Sequence, residues 1–266
     1  MLSTHWFGRR GAAFISCVCV AVGCALVAQA ESKTLRLRAD SWMPYNGDPA
    51  GELPGYVVEL ARAVFSAHGI TIDYQTMPWT DALKAVKAGE IDGVIGANAT
   101  EAEGLVRPAE ATGLPRVGLY VRKDSALHFE NLASLKNSHL GVIESYSYWD
   151  NLDEYIKTHA APAVVLFKGD TPLIDGIAKL DTGEIDVMAE TFVVWSWALR
   201  SLNRKPSDFR TICVQNGDPI YVAFAPGKTG TGYAKIWDDG IRELRKNGKL
   251  AAIMGKYGLA DWQESK

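Results

Sequence analysis

The chain has 266 residues, with 28 Lys and Arg against 31 Asp and Glu, a net charge of −3. No basic block follows Arg9-Arg10, so nucleic acid is not an expected partner. The length fits one large or two modest domains, each with room for a real core.

Arg9 and Arg10 precede an apolar run from Ala12 to Val27, and Ala28-Gln29-Ala30 supplies small residues where a processing site needs them. Residues 1–30 therefore read as a secretory signal peptide, which implies a periplasmic protein. The alternative is a membrane anchor, but the run is 16 residues long, and a spanning helix needs roughly 20. Removal of 1–30 leaves 236 residues with 26 Lys and Arg against 31 Asp and Glu, a net charge of −5. It also leaves Cys213 as the single cysteine, so no intrachain disulfide can form, and a buried, inert thiol is expected. Lipid attachment at Cys24 is the weaker reading. Ala21 stands where a bulky aliphatic is usual, and the apolar stretch runs on past Cys24.

The mature chain alternates strand and helix patterns. Leu35–Ala39 has the period of a strand. Val57, Leu60, Ala61, Val64 and Phe65 recur at helical spacing between Gly55 and Gly69. Ile70–Tyr74 predicts a second strand, and Thr80 is a candidate N-cap for a helix over Asp81–Ala88. Gly93–Gly96 predicts a short buried strand. This βαβαβ run implies a parallel sheet with ligands at its carboxyl edge.

The second half repeats the plan. Strands are predicted at Leu140–Ile143, Ala163–Phe167 and Asp186–Met188, with helices through Trp149 and Tyr155 and over Thr171–Leu180. Ile220–Phe224 predicts another strand, and Gly227–Gly232 a turn. Helices are expected over Tyr233–Lys246 and around Leu250, Ile253 and Met254. One tetrapeptide occurs twice, as Gly89-Glu90-Ile91-Asp92 and Gly183-Glu184-Ile185-Asp186, at matching points of the two βαβ runs. Each glycine suits a left-handed helix stop, each isoleucine the underside of a sheet, and each aspartate the turn into a strand. The echo favours two similar lobes over one continuous sheet.

Catalytic motifs are missing from the mature sequence. His68, His128, His139 and His159 pair with no His or Cys at metal-ligand spacing, so neither metal nor cofactor is expected. There is no G-x-S-x-G elbow. Gly227-Lys228-Thr229 lacks the upstream glycine of a phosphate loop, because Val222 holds that position. Polar and aromatic residues gather instead at strand ends. Trp42, Tyr45 and Asn46 follow the first strand, and Trp79 precedes the second helix. Asn98 and Thr100 follow the third strand, Ser145–Tyr148 the fourth, and Glu190 and Thr191 the strand at Met188. All fall on the edge where α/β pockets form.

At these positions the sequence resembles the family 3 bacterial extracellular solute-binding proteins, the polar amino-acid binding components of ABC importers. The resemblance rests on Trp42-Met43-Pro44-Tyr45, Gly55–Leu60, Trp79, Ala82-Leu83, Gly89–Asp92 and Ala97–Glu101. Leu135–Val142, Gly183–Asp186 and Lys256-Tyr257-Gly258 extend it over nearly all of 35–258. It implies a type II periplasmic binding protein of the Venus flytrap kind, α/β, with two Rossmann-like lobes, a central cleft and two hinge strands. Lobe 1 would be 31–115 and 222–266, and lobe 2 would be 116–221. The resemblance places Trp42 and Trp79 as a ligand sandwich. Asn98, Tyr146 and Ser147 would meet a ligand carboxylate, and Glu190 an α-ammonium group. Tyr45 and Thr100 complete the candidate ligand-binding set.

One departure matters. The family's Thr-x-x-Arg, whose arginine clamps a carboxylate bidentately, is here Thr100-Glu101-Ala102-Glu103. The clamp is lost unless Arg107 or Arg116 reaches in. Aromatic faces with Glu190 suit an organic cation such as an amine or quaternary ammonium. If Glu103 points to solvent, a neutral ligand is the alternative. The leading expectation is a monomer that binds a small polar solute, amino-acid-like or cationic, does no chemistry on it, and docks on an inner-membrane ABC permease. Two alternatives stay open. One is a cleft enzyme of the cyclohexadienyl dehydratase type with Glu190 as general acid. The other is a sensory module serving a separate membrane receptor.

Overall fold

Alternation makes the first strand. In β1 (Lys33–Ala39), Leu35, Leu37 and Ala39 are buried, while Arg36 and Arg38 turn outward onto Asp92 and Asp73. The computed structural model describes residues 33–263; the expected signal peptide, Cys24 within it and residues 264–266 lie outside that range. Among the described residues, no helix is long and apolar enough to cross a membrane.

Helix α1 (Tyr56–Ser66) leads to β2 (Ile70–Thr76), α2 (Trp79–Ala88) and β3 (Gly93–Ala97). Strands β2 and β3 flank β1 and run parallel to it. The chain then enters a second sheet with β4 (Arg116–Arg122), β5 (Leu140–Ile143) and α3 (Asp150–Thr158). It continues through β6 (Val164–Phe167), α4 (Pro172–Thr182), β7 (Val187–Thr191), α5 (Phe192–Ser201) and β8 (Phe209–Asn216). Strand β9 (Tyr221–Phe224) returns to the first sheet, followed by α6 (Lys228–Lys246) and α7 (Lys249–Lys256). The strand orders are β2-β1-β3-β9 and β6-β5-β7-β4-β8. The last-added β9 is antiparallel to β3, and β4 is antiparallel to both β7 and β8.

The repeated tetrapeptide performs one job twice. Gly89 and Gly183 take left-handed φ values of 75° and 79° and end α2 and α4. Asp92 accepts the Arg36 N–H at 2.8 Å, and Asp186 accepts the His139 N–H at 2.9 Å. Their own N–H groups donate back to the Arg36 and His139 carbonyls. Each aspartate thus ties the end of a helix to a neighbouring strand, which fixes the register of the following strand in both sheets. Ile91 and Ile185 are buried beneath.

Two segments join the sheets. Thr112 N–H donates to the Ile220 carbonyl at 2.7 Å, Ile220 N–H to Gly113 at 3.1 Å, and Gly217 N–H to Pro115 at 2.8 Å. Residues 112–116 and 217–221 therefore run antiparallel, side by side, as two connecting strands.

Several local expectations need correction. Helix α2 begins at Trp79 with Pro78 in the cap position, so Thr80 lies inside its first turn and caps nothing. The Pro78 carbonyl accepts the Asp81 and Ala82 N–H groups, which starts the helix earlier than the hydroxyl suggested. Gly227–Gly232 is not a turn, because α6 already starts at Lys228. There Gly230 lies so close to the Ala225 carbonyl that a Cβ would stand 1.9 Å from its oxygen. Trp149 caps α3 rather than belonging to it. Glu190 and Thr191 lie within β7 rather than after it, because β4 pairs with both. Cys213 is half-buried rather than buried, although burial still raises its thiol pKa.

Candidate functional site

The carboxyl ends of the strands meet across one cavity. From the first sheet's side come Asp40 and Trp42 after β1, Trp79 opening α2, Gly96 in β3, and Asn98 and Glu101 just beyond. From the second come Val117 of β4, Tyr146–Trp149 after β5, Asp150 and Asp153 of α3, and Thr191 closing β7. Ile95 of β3 and Pro115, Asp218 and Ile220 of the connecting segments form the rest.

The Trp42 loop is set by the start of α1. The first N–H groups of a helix have no partner within it. Here Tyr56 N–H donates to Pro44 at 2.9 Å and Val57 N–H to Tyr45 at 3.0 Å, so the helix holds the loop directly. Tyr45 is buried and stacks under Trp42, with centroids 4.3 Å apart and planes at 23°. Trp42 in turn meets Tyr146 edge-on at 6.1 Å, an aromatic contact between the two sides.

A hydrogen bond joins the same sides. The Tyr146 hydroxyl donates to Asp40 Oδ2 at 2.6 Å, across 106 positions of sequence. Burial holds the Asp40 carboxyl above its usual range, against the lowering effect of that hydroxyl, and burial also pushes Tyr146 up. Tyr146→Phe leaves Asp40 without its side-chain donor. We expect a loss of about 2 kcal/mol, the scale of a bond to a charged acceptor, measured by urea denaturation.

Asn98 and Glu101 lock one another. Asn98 Oδ1 accepts the Glu101 N–H at 2.9 Å, while Glu101 Oε2 accepts the Asn98 N–H at 3.0 Å. The other Glu101 oxygen accepts the Trp79 indole N–H at 2.9 Å and fixes that ring at the cavity wall. Burial raises the Glu101 pKa despite these donors. Asp153 similarly accepts Ser147 Oγ at 2.7 Å and the Tyr148 N–H at 2.9 Å, which shapes the loop after β5.

Glu190 lies behind this wall, 1% exposed. Its Oε1 accepts the Thr191 N–H at 2.6 Å, and its Oε2 has no hydrogen-bond partner. Burial pushes its pKa up to about 7, against the lowering pull of Thr191 and of the Trp42 indole. That indole N–H is buried and, like Oε2, makes no hydrogen bond of ordinary geometry, although it lies near enough to favour the ionised carboxyl.

The structure thus gathers Trp42, Trp79, Asn98, Tyr146 and Ser147 around one cavity, with Tyr45 and Glu190 directly behind. Thr100 is exposed and outside the lining, as is Glu103. Neither expected substitute for the arginine lines the cavity. Arg107 covers the Tyr221 ring at 4.5 Å, and Arg116 is exposed on β4. Sequence reasoning missed Asp40, Glu101, Asp150, Asp153 and Asp218. Asp40 directly follows β1, and Asp150 and Asp153 sit in the first turn of α3, so strand-end and helix-start positions were the available signal. Among the described residues, no three His, Cys, Asp or Glu side chains are placed to hold a metal ion.

Two α/β sheets joined by paired strands, with a cavity walled from both, define a two-lobed binding protein of the Venus flytrap kind. The chain belongs to the bacterial extracellular solute-binding proteins, family 3, whose pattern it matches over residues 37–260. No curated protein sequence matches the chain. Among solved structures it resembles a histidine kinase sensor domain similar to periplasmic binding proteins, with TM-score 0.69 and 21% identity over 84% of this chain and 95% of the other. It resembles a substrate-binding protein of an ABC uptake transporter from Streptococcus pneumoniae, solved with bound histidine, with TM-score 0.69 and 20% identity over 84% and 92%. A third is the arginine-, lysine-, histidine-binding protein ArtJ from Geobacillus stearothermophilus, with TM-score 0.68 and 17% identity over 86% and 96%. At these identities the likeness establishes the fold.

Proposed function

We propose that the mature protein works in the periplasm, binds a small polar solute reversibly between its lobes, and presents the closed form to an ABC permease. The observation that carries this reading is a cavity lined from both sheets, which two short strands connect among the described residues. Lobe 1 is 31–115 with 222–266, and lobe 2 is 116–221. Rotation about the paired connecting strands opens and shuts the cleft. Trp42, Trp79, Asn98, Tyr146 and Ser147 contact the ligand, while Tyr45 and Glu190 support them from behind. Burial in a dry cleft strengthens polar contacts and gives selectivity.

Glu190 also supports a second reading. A carboxyl poised near neutrality is what a general acid of the cyclohexadienyl dehydratase type needs. The cavity offers no cationic side chain for those carboxylate substrates, which favours binding without turnover. Prephenate or arogenate turnover that disappears in Glu190→Gln would establish the enzyme instead. A membrane sensor reading the same closed form is separated from a permease by which of the two co-purifies.

Isothermal titration against amino acids, amines and sugars, paired with small-angle scattering, tests solute capture. One class is expected to bind one-to-one and to shrink the radius of gyration. Trp42→Ala and Trp79→Ala should each weaken that binding at least tenfold, at roughly 1.4 kcal/mol per decade. If every solute fails to bind, the proposal fails.

A further inference from the structure

We propose that the solute is a small organic cation carrying no carboxylate, held between aromatic faces and carboxylates of the cleft. This rests on the solute-binding reading above and narrows it.

The cavity lining contains Asp40, Glu101, Asp150, Asp153 and Asp218, and it contains no Lys, Arg or His. These acids come from both sides and from a connecting segment, so the cleft is negative all round. Asp153 and Glu101 are engaged by neighbouring N–H and O–H donors. Asp150 and Asp218 are exposed at the cavity, and among the described residues no hydrogen bond or ion pair engages either. Low-dielectric walls focus such a field on anything that enters.

Glu190 is an independent observation. It is 1% exposed with one oxygen unpartnered, directly behind the wall made by Trp42 and Thr191. Once ionised, that buried oxygen is costly unless something positive approaches it. Trp42, Trp79, Tyr146 and Trp149 supply aromatic surface around the same space, and ring faces attract cations.

A ligand carboxylate would face these five acids with no cationic side chain to offset them. Glu103, at the position where an arginine clamp was expected, is exposed and outside the cavity, so it supplies neither clamp nor charge, and the lining acids alone favour a cation over a neutral solute. A metal ion is the other kind of cation, and the described side chains offer no cluster to ligate one.

The test uses matched pairs differing in the carboxylate: agmatine against arginine, cadaverine against lysine, histamine against histidine, and choline against glycine betaine. The mature protein is titrated calorimetrically with each. At least one carboxylate-free cation is expected to bind tenfold or more tighter than its partner. A diamine as best ligand would assign the main role to the acids, and choline as best ligand would assign it to the rings. Asp150→Asn/Asp218→Asn, altered only at exposed positions, should weaken the best cation at least threefold. Tighter binding of the amino acids, selective binding of neutral solutes, or undiminished binding by that variant would overturn the inference while leaving solute capture standing. Failure of all these compounds and of sugars to bind would remove both.

Discussion

Glu190→Gln should flatten the pH dependence of stability. The native Glu190 carboxyl titrates near 7, against 4.5 when unburied, and burial is the main cause. Between those values the folded protein holds a proton that the unfolded chain releases. The stability that Glu190 contributes is therefore fully present below about pH 4.5, falls as pH rises, and is gone above about pH 7. A difference of about 2.5 pK units corresponds to a fall of about 3 kcal/mol, at 1.36 kcal/mol per unit. The groups around Glu190 do not offset this. Asp40 raises it further, and the neighbouring Tyr45, Tyr120, Tyr146 and Tyr148 are themselves pushed upward by burial, with Glu190 adding to the effect. Asp40 and Glu101 are shifted in the same direction, so some slope will persist in the variant. Urea denaturation at pH 5 and pH 8 provides the measurement. An unchanged difference between the two pH values in Glu190→Gln would show that this carboxyl is not a source of the slope.

Gly55→Ala should be among the most damaging single-methyl changes in the molecule. Gly55 caps α1 at φ 110° and ψ 141°, a conformation L-residues rarely take. An added Cβ would stand 2.3 Å from Asn46 Cα and 2.5 Å from the Tyr45 carbonyl oxygen. These are backbone atoms, so no side chain can swing aside. Strain of about 1–3 kcal/mol and overpacking of similar size together predict a loss of about 4 kcal/mol. For a chain of this size that lowers Tm by roughly 10 °C. The same displacement would push back the turn whose carbonyls receive the α1 N–H groups and so move Trp42. Ligand affinity should fall together with Tm. A variant within 1 kcal/mol of the parent in denaturant would refute the close approach.

Much of the fold was legible because one face of each element is buried at a regular period. The alternation of Leu35, Leu37 and Ala39, the helical recurrence of Val57 to Phe65, and the strand at Leu140–Ile143 all match the structure closely. Three elements were not visible. β4 and β8 pair with each other, yet no turn joins them, and β8 is mostly part-exposed. α5 follows β7 without a glycine or proline between them, and its apolar sequence has little polar face. Periodicity could not mark that boundary. Pairing with β4 sets where β7 ends, and packing of Trp195 on Tyr120 at 4.1 Å anchors the helix.

The sequence alone determined the aromatic and polar residues at strand ends, the left-handed stops at Gly89 and Gly183, and an acid rather than a base at position 103. Those are local properties, set by period, chirality and residue type. Only the tertiary structure decided which acids share a space. Asp40, Glu101, Asp150, Asp153 and Asp218 belong to separate segments, and each alone would be an ordinary solvated carboxylate. Bringing them together across the cleft, with Glu190 desolvated behind, depends on long-range strand order, because electrostatic environment follows distance in space rather than position along the chain.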